Sequence, residues 1–143
     1  MSGLRLWSIV VAVCLPVGCG TESVSHSPGA DLSTAKTFYV QKLPADQRGI
    51  GKLFARQLNE WGCQATTGVE AKPAAPVDAI VKYEDRWLWL SYRMFMSRLN
   101  VEIRDGRTGA LLASAEQPGS TAEDVSPEGM VKAILQAALK RPN

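Results

Sequence analysis

The chain has 143 residues, of which 45% are hydrophobic and 21% charged, a composition typical of a globular protein with a single core. Its formal charge is +2, from 16 basic and 14 acidic residues, without a dense run of lysine and arginine, so binding to nucleic acid is not expected. His26 is the only histidine, which leaves almost no material for histidine metal sites or catalytic triads.

Residues 1–18 have the layout of a secretory signal peptide. A positive start at Arg5 precedes an apolar run, Leu6–Leu15, which is too short for the roughly 20 residues of a membrane-spanning helix. The following Val17-Gly18-Cys19 resembles the bacterial lipobox, in which the cysteine is lipidated and becomes the mature N-terminus. This resemblance implies a palmitate-bearing membrane anchor at Cys19, and Gly20 after it implies sorting to the outer membrane, with the protein on the periplasmic face.

Two alternatives to lipidation remain open. The first is an ordinary cleaved signal peptide that happens to contain cysteines. The second is a disulfide between Cys19 and Cys63 in an oxidising compartment. Lipidation of Cys19 excludes the disulfide and leaves Cys63 as a small buried side chain.

Residues 19–35 are rich in serine, threonine, glycine and proline, and the sequence predicts a lipidated N-terminus followed by a flexible tether. Residues 36–143 form the predicted periplasmic domain. It opens with a strand at Thr37–Leu43 and continues with a helix from Asp46 to Trp61, which Gly62 ends. One apolar face of this helix is formed by Ile50, Leu53, Phe54, Leu58 and Trp61.

Further strands are predicted weakly at Cys63–Thr67 and more clearly in Val77–Glu84 and Leu99–Arg104. The turn residues of Asp105–Gly109 predict a hairpin that pairs Leu99–Arg104 with residues 110–117. Finally, Ser126, Pro127 and Glu128 have the pattern of a helix start, and the apolar face that follows extends towards Lys140. This order predicts an α+β fold, with two helices packed on one face of a mostly antiparallel four- to five-stranded sheet.

The stretch Tyr83–Leu99 does not alternate, because apolar residues occupy both faces of the predicted strand. Such a stretch is covered on both faces, contains a turn near Ser91 where the alternation resets, or presents an apolar patch to a partner. Tryptophan, tyrosine, methionine and arginine are enriched at the centres of protein interfaces. On the third interpretation, the partner-binding residues are Trp87, Trp89, Tyr92, Arg93, Met94 and Met96.

Catalytic patterns are missing from the sequence. Glu84 and Asp85 are adjacent, so on a strand they point to opposite faces and form no carboxylate pair. The chain contains no GxSxG, HExxH, CxxC or P-loop motif, and Cys63 has no nearby histidine to act as base. The sequence therefore predicts neither an enzyme nor a cofactor or metal site.

The segments TFYVQKL, DAIVKYEDRW and VEIRDGRTGALLA resemble small proteobacterial envelope lipoproteins of uncharacterised function. A broader likeness is to the LptE-like lipoproteins, which are α/β sandwiches with two helices on a sheet. The resemblance implies an outer-membrane lipoprotein without enzymatic activity that binds an envelope protein, for instance as an accessory subunit of an assembly or transport machine. The alternative is a binding module for cell-wall glycan or lipid.

Overall fold

A computed structural model describes residues 22–119 and 125–141, so Cys19 and the predicted signal peptide lie outside the described residues. In this part of the chain, two helices pack on one face of a six-stranded mixed sheet in the order β1-β6-β5-β4-β2-β3. The strands are β1 (Ser23–His26), β2 (Thr37–Gln41), β3 (Gln64–Gly68), β4 (Ala79–Leu90), β5 (Arg93–Asp105) and β6 (Leu111–Pro118), and the helices are α1 (Ile50–Glu60) and α2 (Pro127–Leu139).

The predicted mostly antiparallel sheet of four to five strands is wrong in both strand count and strand direction, although the fold is α+β. β2 pairs in parallel with β3 on one side and with β4 on the other. The remaining pairs, β4–β5, β5–β6 and β1–β6, are antiparallel. The parallel pairing arises because α1 carries the chain from the end of β2 back to the start of β3, so the two strands must run in the same direction.

The strand that raises the count to six is β1, which lies in the segment predicted as a tether. Its sequence, Ser-Val-Ser-His, carries no apolar alternation, so the usual strand signal is missing. The strand is held through its backbone, with Ser23 opposite Glu116 and His26 opposite Ala113 on β6. The imidazole Nε2 of His26 also lies 2.9 Å from the carbonyl oxygen of Ala138, which ties β1 to the end of α2.

Helix α1 is shorter than predicted at its start and ends where the sequence placed its end. Gly49 has a left-handed backbone (φ 74°), so the chain enters the helix only at Ile50 and not at Asp46. Trp61 is the C-cap, and Gly62 follows in the left-handed conformation (φ 83°). Ile50, Phe54 and Leu58 are buried, as their spacing predicts.

Helix α2 starts as predicted. The Ser126 hydroxyl accepts a hydrogen bond from the backbone N–H of Gly129 at 3.1 Å, and Pro127 occupies the first helical position. Its apolar face joins α1 and alternate residues of the strands in one core. The fully buried side chains of that core include Phe38, Val40, Phe54, Leu58, Val81, Leu99, Ile103, Ile134 and Leu135.

The opposite face of the sheet carries charged side chains. Arg86 pairs with Glu84 at 3.2 Å and Arg104 pairs with Glu102 at 2.8 Å. These ion pairs are largely exposed and contribute little to stability, but they keep this part of the sheet face polar.

Candidate functional site

The outer part of the β4–β5 hairpin extends beyond the neighbouring strands. β2 pairs with β4 only as far as Lys82, and β6 pairs with β5 only from Arg98 onwards. Residues 87–96 therefore form a two-stranded ribbon, which we call the arm. Its pairs are Trp87 with Met96, Leu88 with Phe95, Trp89 with Met94 and Leu90 with Arg93.

Two breaks in the alternation explain why apolar residues occupy both parities of this stretch. The first is the two-residue turn at Ser91 and Tyr92, so the reset near Ser91, one of the three alternatives left open by the sequence, is present. The second is a bulge that leaves Ser97 without an opposite residue, because Arg98 pairs with Arg86 while Met96 pairs with Trp87. On the arm side of this bulge, Met94 and Met96 therefore lie on the same side of the sheet as the helices.

The inner face of the arm, on the helix side, carries four of the six residues predicted to bind a partner. Their exposure increases outwards: Met96 is buried in the core, Trp87 is half-buried against it, and Met94 is exposed. Trp89 is 67% exposed. The inner face thus begins as core at its base and ends as an uncovered apolar surface.

The outer face and the tip carry the other two predicted residues. Arg93 lies on the outer face with Leu88, Leu90 and Phe95, and not beside the tryptophans. Leu88 and Leu90 are each at least half exposed, and Tyr92 at the tip is 93% exposed. Exposed apolar side chains therefore lie on both faces of the arm.

The turn at the tip is conformationally costly. Ser91 (φ 48°) and Tyr92 (φ 69°) both adopt positive φ, the requirement of the type I′ turn that matches the twist of a hairpin. Asparagine and glycine normally occupy these positions, because most other residues are disfavoured in a left-handed conformation. Tyr92 thus places a large aromatic ring at a position where glycine would be more stable.

Arg48, which the sequence analysis did not single out, completes the inner face. Its guanidinium lies over the Trp87 ring at 4.2 Å from the ring centroid, and its Nη2 donates to the Met94 sulfur at 2.9 Å. Arg48 is 46 residues from Met94 in sequence, so no local pattern brings it to the arm. Arg48 lies in a loop before Gly49, and nothing in the neighbouring sequence indicates that it contacts the arm.

A buried hydrogen-bond network fixes the loop that carries Arg48. The carboxylate of Asp46 accepts bonds from the backbone N–H groups of Arg48, Ile50 and Gly51, and from the Tyr83 hydroxyl at 2.7 Å. Burial by itself would raise the pKa of Asp46, but these bonds outweigh it and hold the pKa below its usual value. Burial and the bond to Asp46 raise the pKa of Tyr83, which therefore stays protonated as the donor.

A hollow of about 680 Å³ at the opposite end of the sheet contains the carboxylates of Asp31, Asp78 and Asp105. The backbone N–H groups of Lys36 and Thr37 donate to Asp78 and hold its pKa below the usual value. Hydrogen bonds from nearby residues in the same turn likewise lower the pKa values of Asp31 and Asp105. Carboxylates held ionised in this way are poor proton donors.

Within residues 22–119 and 125–141, the histidine, cysteine and acidic side chains form no group of three that would hold a metal ion. Cys63 is a buried free thiol, and its sulfur accepts a hydrogen bond from Arg141 at 3.3 Å. None of the described helices is both long and apolar enough to cross a membrane.

No family model and no curated protein matches the chain. Among solved structures, it is similar to two crystal forms of the PelC dodecamer from Paraburkholderia phytofirmans. One has a TM-score of 0.57 at 14% identity, covering 83% of this chain and 98% of PelC, and the other a TM-score of 0.53 at 12% identity, covering 86% and 99%. These matches show a shared fold.

A PDZ domain protein from Parabacteroides distasonis matches with a TM-score of 0.52 at 14% identity, over 80% of this chain. This chain spans about a third (34%) of that protein. A minor lipoprotein from Acinetobacter baumannii matches at a TM-score of 0.38 and 16% identity, over 75% of this chain and 91% of that one, which is a weak link at the level of the fold. These structures add no support for the likeness to LptE.

Proposed function

We propose that this protein is a non-enzymatic outer-membrane lipoprotein whose periplasmic domain binds a protein partner through the inner face of the arm. The observation that carries the proposal is the exposed apolar surface of Trp89 and Met94, with the Arg48 guanidinium beside it. Tryptophan and arginine are the residues that most often dominate binding energy at protein interfaces. The turn of the arm has an unfavourable backbone conformation at Ser91 and Tyr92. Such a turn at an exposed tip is better explained by an interaction with a partner than by packing within the domain.

Lipidation of Cys19 agrees with the position of β1. Cys19 is only four residue steps before Ser23, a reach of at most about 14 Å. β1 and β3 are opposite edges of the sheet, about 24 Å apart, and Cys63 lies just before β3. With β1 paired, a disulfide between Cys19 and Cys63 would be out of reach, which favours the lipid anchor. We expect labelled palmitate to be incorporated by the wild type and not by Cys19→Ala.

The first candidate for the partner is another copy of this chain. PelC, which aligns over nearly its whole length, is described as a dodecamer. This supports self-association as one form of partner binding. The mass of the purified full chain in mild detergent distinguishes a monomer from an assembly.

Site-specific photo-crosslinking tests the inner face directly. A photoreactive residue in place of Met94 should give an adduct of defined mass in the native membrane, and mass spectrometry identifies the second component. Val69, which is 57% exposed just after β3 and outside the arm, is the matched control position. Trp89→Glu should abolish the adduct at Met94, whereas Val69→Glu should leave it intact.

Equal adducts at both positions, or none at Met94, would refute protein binding through the inner face. Circular dichroism of Trp89→Glu checks that the domain stays folded, because unfolding would assign the arm to the core. The alternative function is a binding module for cell-wall glycan, which is favoured by the exposed indole ring of Trp89 as a stacking surface for sugars. Titration of tryptophan fluorescence with glycan fragments would reveal it.

A further inference from the structure

We propose that the outer face and tip of the arm, at Leu88, Leu90 and Tyr92, lie in the headgroup region of the membrane to which the N-terminus is anchored. This contact goes beyond the partner-binding inner face and assigns a second, lipid-binding surface to the arm. It rests on the proposed lipid anchor at Cys19.

The direction of β1 is the first observation. β1 is antiparallel to β6, with Ser23 opposite Glu116 and His26 opposite Ala113. Because Glu116 is nearer than Ala113 to the end of β6 that approaches the arm, the chain preceding Ser23 enters the sheet from the end of the arm. The anchor and the arm therefore belong to the same end of the domain.

The reach of the anchor is the second observation. Ser23 lies at the level of Glu84 in the sheet, through the pairs Ser23–Glu116, Glu116–Asn100 and Asn100–Glu84. Leu90 lies six positions further along β4, which is about 20 Å towards the tip. The four residue steps from Ser23 back to Cys19 span at most about 14 Å, which is less than the distance to the tip, so a lipidated Cys19 cannot hold the bilayer beyond the tip of the arm. Any longer separation would require β1 to detach from β6.

The chemistry of the tip fits this location. Tyrosine and tryptophan are enriched at membrane–water interfaces, where the ring is in apolar surroundings and its polar group stays hydrated. Leu88 and Leu90 supply apolar surface for the acyl boundary, and Arg93 on the same face has the charge that suits anionic headgroups. The covalent anchor keeps the local lipid concentration high, so a small apolar contact is sufficient to orient the domain.

The experiment uses the mature full chain, lipidated and reconstituted into vesicles of phosphatidylethanolamine and phosphatidylglycerol. A fluorescent probe is attached at Ser91→Cys, next to Tyr92 at the tip, in a Cys63→Ala background. The matched control probe is at Thr108→Cys, an exposed position in the β5–β6 turn at the opposite end of the sheet. Lipids that carry a spin label near the headgroup should quench the tip probe at least about threefold more strongly than the control probe.

Tyr92→Glu and Leu90→Glu should each reduce quenching of the tip probe to the control level, while the protein stays bound to the vesicles through its lipid. Val69→Glu should leave the quenching unchanged. Tyr92 is almost fully exposed, so its substitution reports on the contact without disturbing the core.

Three outcomes would overturn the inference. Equal weak quenching of both probes would show that the tip lies in water. A tip probe shielded from aqueous quenchers but insensitive to the labelled lipids would show that a protein covers the tip. A chain that stays out of the vesicle fraction would refute the anchor and the inference with it, whereas partner binding through the inner face would still be tested by the crosslinks.

Discussion

The base and the arm of the β4–β5 hairpin are parts of the same two strands, yet they have different environments. In the base, Val81 and Val101 are buried under the helices, while Lys82 and Glu102 face solvent. In the arm, apolar side chains occupy both faces, and most of them are exposed. Strand pairing is continuous apart from the bulge, so the difference lies in what packs on the strands.

This comparison separates two reasons for apolar residues in a strand. The base is apolar on the face that the helices cover, which is the ordinary requirement of a core. In the arm, only the base is covered, where Met96 and Trp87 pack against the core. Further out, the Arg48 guanidinium contacts Trp87 and Met94, and Trp89 and Tyr92 are exposed. The core therefore does not account for the apolar surface of the outer arm, and stability measurements can separate the two regions.

Truncation of one aromatic side chain in each region should give the largest contrast. Phe54 is fully buried in the core, and we expect Phe54→Ala to lower the free energy of unfolding by about 3–5 kcal/mol. Trp89→Ala in the arm should change it by roughly 0.5 kcal/mol or less, because the side chain is already exposed. Urea denaturation followed by circular dichroism measures both. A comparable cost for Trp89→Ala would make the arm part of the core.

The hydroxyl groups of Tyr83 and Tyr92 provide a finer contrast between base and arm. Tyr83→Phe removes the donor to the buried Asp46 carboxylate and should lower the free energy of unfolding by about 1–3 kcal/mol. Tyr92→Phe removes an exposed hydroxyl and should have no measurable effect. Equal effects in the two denaturation curves would argue against the Asp46–Tyr83 bond as a stabilising contact.

The pH dependence of stability tests the same network. The pKa of Asp46 is lower in the folded state than the value of about 3.9 expected for an unfolded chain. Its contribution is therefore complete above that value and is lost as the pH falls through the folded pKa. The stability curves of the wild type and Asp46→Asn should converge on acidification. Tyr83→Phe should shift the loss to higher pH, and parallel curves would contradict the assignment.

A change at the turn should stabilise the arm alone. Ser91→Asn combined with Tyr92→Gly supplies residues that favour the type I′ turn, and we expect a gain of about 1 kcal/mol. Amide hydrogen exchange should slow about fivefold in the arm and stay unchanged in the base, since the base amides exchange through larger openings. Unchanged exchange in the arm would show that the turn is not strained.

The smallest expected effect concerns Arg48. Arg48→Ala removes the stacking on Trp87, which is worth about 0.5–1 kcal/mol at an exposed site. A double-mutant cycle with Trp87→Leu isolates that coupling, and Arg48→Lys should retain part of it. A coupling of zero would leave the arm without support from the α1 loop.

Much of the fold follows from local signals in the sequence. The Ser126–Pro127 start of α2, the end of α1 at Gly62 and the turn at Asp105 all depend on residues that are adjacent in the chain. The alternation of Leu99 to Ile103 likewise predicts which face is buried. These features depend on backbone preferences and periodicity, which can be recognised in the sequence without knowledge of distant contacts.

Features that depend on distant residues were decided only by the tertiary structure. β1 has no apolar pattern and exists because β6 offers a backbone edge, and β3 is parallel because α1 returns the chain. The sequence by itself determined that residues 83–99 are unusual in composition. Only the tertiary structure separated the buried Met96 from the exposed Trp89, because burial depends on where the helices end, and that is set by packing across the whole domain.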